Sequence, residues 1–215
     1  MNSAKSDFLY LLRVGIVFLA TTIFTGIVFS VVLCEVNLHQ NIIEGGLVEK
    51  TQAAVLLAAG LAYLVQAPHR KTLTNALVLV GLCIFTMFVR ECDGYFDHLT
   101  GDHAFWSYIV AAIFAAMVAY ATWSRRTLLP QIVSFVRSGQ FLMLAIGFIF
   151  AVVIAQLIGY KEIWNTIFDH PDSGSHEAIL ARSVKNTVEE SFELGSYLII
   201  LASSFLPQCL RRKDD

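Results

Sequence analysis

The stretch FVRECDGYFDHLTGDH, residues 88–103, puts an arginine, a glutamate, three aspartates and two histidines directly behind an almost wholly apolar run. Groups of these types can hold a cation, pass a proton or ligate a metal. Other ionisable and polar residues have spacings that share a helical face. Glu49 and Gln52 are three apart, as are Arg90 and Asp93, and Glu190 and Glu193; Glu189 and Glu193 are four apart. With Glu91, these residues form a candidate polar pocket of Glu49, Gln52, Arg90, Glu91, Asp93, Glu189, Glu190 and Glu193. Carboxylates outnumber the single arginine, which favours a cation, a proton or an amine-bearing headgroup. An ion pair between Arg90 and Glu193 is expected, because a charge at membrane depth needs a partner.

The histidines point to a second chemistry. Imidazole and carboxylate suit zinc and similar divalent ions, and a bound metal can activate water for hydrolysis. His98, His103, His170 and His176 are the candidate ligands of such a metal-assisted membrane hydrolase. No HExxH or ExxH spacing is present, and no GxSxG marks a serine nucleophile, although Ser183, Ser191 and Ser196 are available near Glu193. A third reading needs no ligand. Glutamates in a first helical turn complement the helix dipole, and TVEE at 187–190 has the capping-box pattern. The charges would then cap and dock the helices of a non-catalytic accessory or assembly subunit.

The elements that must position these residues are membrane helices. The chain has 215 residues, 56% hydrophobic and only 15% charged, against about a quarter charged in soluble domains. Six apolar segments, about 8–33, 46–66, 72–90, 104–124, 139–160 and 186–206, each approach the ~20 residues needed to cross the hydrocarbon. The expected fold is all-α, one domain, a bundle of six transmembrane helices. The first apolar region is too long for a signal peptide's core and has no small-x-small cleavage site after it, so it reads as a retained span.

Positive charge sets the orientation. Lys5 and Arg13, then Arg70 and Lys71, then Arg125, Arg126 and Arg137, and finally Arg211, Arg212 and Lys213 fall on one side of a six-span chain. Both termini are expected in the cytoplasm of a bacterial inner membrane. Residues 88–103 then form an outer loop, on the same side as five of the six histidines. Tyr95, Trp106, Tyr160 and Trp164 are expected at the outer interface, and Tyr10, Tyr63, Tyr120 and Trp123 at the inner one. Thr21, Thr22, Thr25 and Ser30, with Gln156, are the polar residues that a transport path would use.

Net charge is −2 and there is no compact basic patch interleaved with aromatics, so nucleic acid is not an expected partner. The lipid bilayer is. Small residues at Ala53, Ala54 and Ala58, and at Ala111, Ala115 and Ala119, mark faces for close helix approach, within the chain, with another copy or with a membrane partner. Of the four cysteines, Cys34 and Cys92 alone could meet on the outer side. VEKTQ and VEESF look alike as the openings of the second and sixth spans, but an inverted or two-fold repeat of three spans would pair the second with the fifth.

Overall fold

The computed structural model describes residues 2–39, 46–101, 103–168 and 174–210, and these are almost entirely helical. The helices are α1 (Asn2–His39), α2 (Leu47–Gln66), α3 (Thr74–Glu91), α4 (Asp93–Thr100), α5 (Phe105–Trp123), α6 (Arg125–Val136), α7 (Gly139–Ile149), α8 (Ala155–Ile158), α9 (Lys161–Ile167) and α10 (His176–Leu210). A π segment, Phe150–Ile154, joins α7 to α8. Five helical stretches are long and apolar enough to cross a membrane: Thr21–Leu38, Leu47–His69, Thr74–Glu91, Phe105–Trp123 and Gly139–Ile158. The chain is therefore an all-helical integral membrane protein. The sixth apolar segment lies inside α10, a 35-residue helix that also carries Glu177, Arg182, Lys185, Glu189, Glu190 and Glu193.

α10 is the organising element, packing against α1, α2, α7, the π segment, α8 and α9. Leu194, Tyr197, Leu198 and Ile200 bring its apolar side into the core beside Leu56, Ala59 and Tyr63 of α2 and Leu77 and Ile84 of α3. Two glycine contacts set the closest approaches. At Gly81, a Cβ would sit 2.8 Å from the Leu64 side chain and 3.2 Å from the Gly60 carbonyl, so α2 and α3 cross backbone to backbone there. At Gly147, a Cβ would lie 3.1 Å from the Ser196 carbonyl, which seats α7 on α10.

The small-residue faces do not act as expected inside the chain. Ala54 and Ala58 are exposed, as are Ala111, Ala115 and Ala119, and the α2–α3 crossing uses glycines on another face. Two segments expected as loops are helices. α4 occupies half of residues 88–103 and stops at Gly101, whose φ of +69° ends the turn. Its Phe96 ring packs 5.9 Å from Phe105 of α5, an apolar anchor within a polar stretch. α6 replaces the expected loop after the fourth span, burying Leu128 and Phe135, seven residues apart on one face. Asn75 clamps this end: its backbone N–H donates to Gln131 Oε1 at 2.7 Å, and Tyr120 donates to its Oδ1 at 2.8 Å.

The helix containing the expected sixth span starts eleven residues before Thr187. Ser175 Oγ accepts from Ala178 N at 3.1 Å and caps the start of α10. Thr187 lies within the helix, its hydroxyl donating to the Ser183 carbonyl. Capping and dipole therefore do not account for Glu189 and Glu190. Glu49 does lie in the first turn of its helix.

Candidate functional site

The polar site is assembled by α2, α3, α8 and α10. Gln52 is fully buried on α2, and its Nε2 donates to Glu190 Oε2 at 2.8 Å and to the Glu190 carbonyl at 3.2 Å. One turn along α10, Glu193 is 5% exposed and accepts from Gln156 Nε2 at 3.1 Å. One further turn on, Tyr197 donates its hydroxyl to Glu91 Oε1 at 2.8 Å, reaching across to the end of α3. Three carboxylates thus each receive one uncharged donor from a neighbouring helix. The charge of Glu49 acts on both Glu91 and Glu190, so a fourth carboxylate belongs to the same field.

Arg90 stands differently from expectation. It makes no hydrogen bond or ion pair among the described residues, although Glu91, Glu193 and Asp93 all act on it through space. The expected Arg90–Glu193 contact is not formed. Arg90 is exposed at the last turn of α3, and its long stem can carry the guanidinium outward while Gln156 serves Glu193. Asp93 turns back on its own helix start, accepting from Gly94 N at 2.6 Å. Glu189 faces another way: it holds Lys185 Nζ at 2.7 Å and packs its carboxylate against Gly159. Of the eight pocket residues, Gln52 and Glu190 bond each other, Glu193 and Glu91 are bonded by Gln156 and Tyr197, Glu49 and Arg90 contribute charge, and Asp93 and Glu189 have local partners.

One acceptor in this network is left over. Gln52 Oε1 is buried with no hydrogen-bond partner, beside carboxylates that are themselves acceptors when ionised. Such an acceptor-rich group of atoms suits a cation or a multi-donor ammonium. It does not suit an anion.

The metal candidates do not converge. Among the described residues no three His, Cys, Asp or Glu side chains come together as a ligand set. His103 Nδ1 is 2.6 Å from Asp97 Oδ2 on the surface, His98 and His176 are exposed, and His170 lies outside the described residues. Cys34, Cys83 and Cys92 are free thiols, so Cys34 and Cys92 do not form a disulfide. The candidate path in α1 does not face inward either. Thr22, Thr25 and Ser30 are exposed and donate to the carbonyls of Phe18, Thr21 and Gly26 in their own helix.

Several polar residues outside the sequence-derived set prove central. Glu35 of α1 is 1% exposed, and its Oε2 accepts from Val48 N at 2.6 Å, capping α2 from another helix where Gly46 offers no side chain. At the opposite end of the α2–α10 seam, Tyr63 is fully buried among the helices. Its hydroxyl lies 2.6 Å from Ser203 Oγ, which itself donates to the Ile200 carbonyl, so Tyr63 is the donor. Gln66 donates to the Ser204 carbonyl at 2.8 Å, and Arg70 donates to Gln140 at 3.3 Å. A helical pattern in the sequence gave one usable signal: Gln52, Tyr63 and Gln66 recur at whole-turn spacings along α2, as a continuous polar seam requires.

Comparison with protein-family models, curated proteins and solved structures finds no match to this chain.

Proposed function

We propose that the protein is a six-span membrane protein with both termini cytoplasmic, in a bacterial inner membrane, and that its outward-facing polar network binds or passes a cation or an amine-bearing headgroup. The observation that carries this reading is the set of carboxylates Glu91, Glu190 and Glu193, which act on one another and each receive an uncharged donor, with Gln52 on Glu190 and its buried Oε1 left without a donor. A monovalent cation or a primary ammonium would give that oxygen and the carboxylates a common partner. The arrangement of uncharged donors supports the same reading. Gln52, Gln156 and Tyr197 hold the carboxylates in place with uncharged donors, so none of these contacts fills the site with a cationic side chain.

The test uses the full chain in detergent, with sodium, potassium and ethylammonium chlorides as probes. At least one should raise the thermal midpoint beyond an equal concentration of choline chloride. Glu190→Gln and Glu193→Gln should abolish that increment. A midpoint that follows ionic strength alone, or an increment retained in both variants, would remove the cation reading.

A further inference from the structure

A hollow also lies beside the carboxylate network, next to Glu189 and Gly159. A groove of about 590 Å³ runs between α9 and the first turns of α10. Two helical faces build it. Lys161, Trp164 and Asn165 are spaced three and four apart on α9, and Arg182, Lys185 and Asn186 have the same spacing on α10. The helices therefore turn polar, basic faces towards one another.

The charge inside is positive. Lys185 is held by Glu189 at 2.7 Å, but Lys161 and Arg182 make no hydrogen bond or ion pair among the described residues. Unneutralised cations sharing one hollow repel each other, and an anion between them removes that cost. The lining also favours donors: an arginine fork, two ammonium groups and two side-chain amides. Trp164 spends its indole N–H on the Ile158 carbonyl, which leaves the ring as an apolar wall. An indole beside lysine and arginine at the end of a membrane span matches the headgroup level of a bilayer. The preceding span ends at Ile158, one residue before the groove's Gly159.

We propose that the groove between α9 and α10 binds a phosphate group. Arginine presents a planar fork that grips phosphate oxygens in pairs, and the lysines act as mobile point charges around it. The phosphate can belong to a lipid headgroup or be free in solution. This site shares no residue with the Gln52 network, and its fate does not depend on the cation reading.

The experiment uses the delipidated full chain in two arms. One arm compares nanodiscs of phosphatidylcholine with nanodiscs that also contain phosphatidylglycerol, reading retained lipid by mass spectrometry and the thermal midpoint. The other titrates inorganic phosphate in detergent. Lys161→Gln and Arg182→Gln should each weaken binding about fivefold, the scale of one basic residue at an anionic surface. Both side chains are exposed, so the variants should elute as the native chain does. Arg125→Gln, exposed elsewhere on the molecule, should leave binding unchanged. A response to phosphatidylglycerol without one to phosphate identifies a lipid headgroup, and the reverse identifies a soluble phosphate. If the native chain responds to neither, or both variants bind as tightly as the native chain, the groove is not a phosphate site.

Discussion

Tyr197 and Glu91 meet across two helices at 2.8 Å, with Tyr197 only 1% exposed. Removing the hydroxyl strands an acceptor in a place with little water, whereas removing both polar groups does not. Interhelical hydrogen bonds in membranes contribute about 0.6 kcal/mol on average and up to ~1.7. Tyr197→Phe should therefore lower stability by about 1 kcal/mol, and Glu91→Leu in that background should recover part of it. Equal and additive losses in a detergent unfolding cycle would mean that the two side chains do not couple. Cys92 reports on the same carboxylates from just beyond the α3 span. Burial raises its thiol above the ordinary value, and Glu91, Glu49 and Asp93 raise it further by disfavouring the thiolate. A raised value means less thiolate at neutral pH. In a chain with the other cysteines changed to serine, alkylation of Cys92 should be slow at pH 7 and climb well past the ~8.5 of a free thiol. Glu49→Gln should speed it. A native rate at pH 7 equal to that of free cysteine would contradict this electrostatic picture. At this scale the sequence made the carboxylates conspicuous, because charge in apolar surroundings is visible in one dimension. It could not show that Gln156 and Tyr197 would receive two of them, since those contacts span 37 and 106 residues.

Helix contacts depend on small residues, and the structure separates glycines that matter from those that do not. A Cβ added at Gly147 would lie 2.7 Å from Ile200 Cγ1 and 3.1 Å and 3.2 Å from the backbone of α10, so an added methyl must push α7 away. A Cβ added at Gly26 would meet nothing within 4 Å. Gly147→Ala should cost about 1–3 kcal/mol through overpacking, while Gly26→Ala, within a helix, should be neutral or stabilising by up to ~1 kcal/mol. Thermal midpoints of the two variants decide the matter, and a tolerated Gly147→Ala would place the α7–α10 contact elsewhere. The same residues show where pattern reading stops. Alanines at four-residue spacing advertise a close-packing face, yet Ala54 and Ala58 are exposed and the crossings are made by Gly60, Gly81 and Gly147. Which small residue meets a neighbour is fixed by helix rotation, a property of the assembled bundle. The polar segments α4 and α6 were likewise hidden as helices, because few apolar residues anchor each of them: Phe96 against Phe105 in one, Leu128 and Phe135 in the other.

At the scale of the molecule, the open question in the sequence is whether α10 crosses the membrane. Apolar length by itself selects five stretches, and an odd number would put the termini on opposite sides. The six-span reading proposed above requires that α10 cross as well. α10 lies against α1, α2 and α7, each of which belongs to a stretch that can span, and its 35 residues extend about 52 Å at ~1.5 Å per residue, longer than the ~30 Å hydrocarbon. Its glutamates lower its apolar character, but Gln52 and Gln156 of neighbouring helices partner Glu190 and Glu193, and Lys185 of α10 itself partners Glu189. A helix whose charges are served by its neighbours can cross as a member of the bundle even when it would not insert alone. The positive charges of Arg70, Lys71, Arg125, Arg126, Arg137 and the C-terminal RRK then share one side. Reporter fusions at both termini should read as cytoplasmic, and a fusion after residue 100 as external. A C-terminal reporter on the outside would leave α10 uncrossed and would move the Gln52 network and the α9–α10 groove to a different aqueous face.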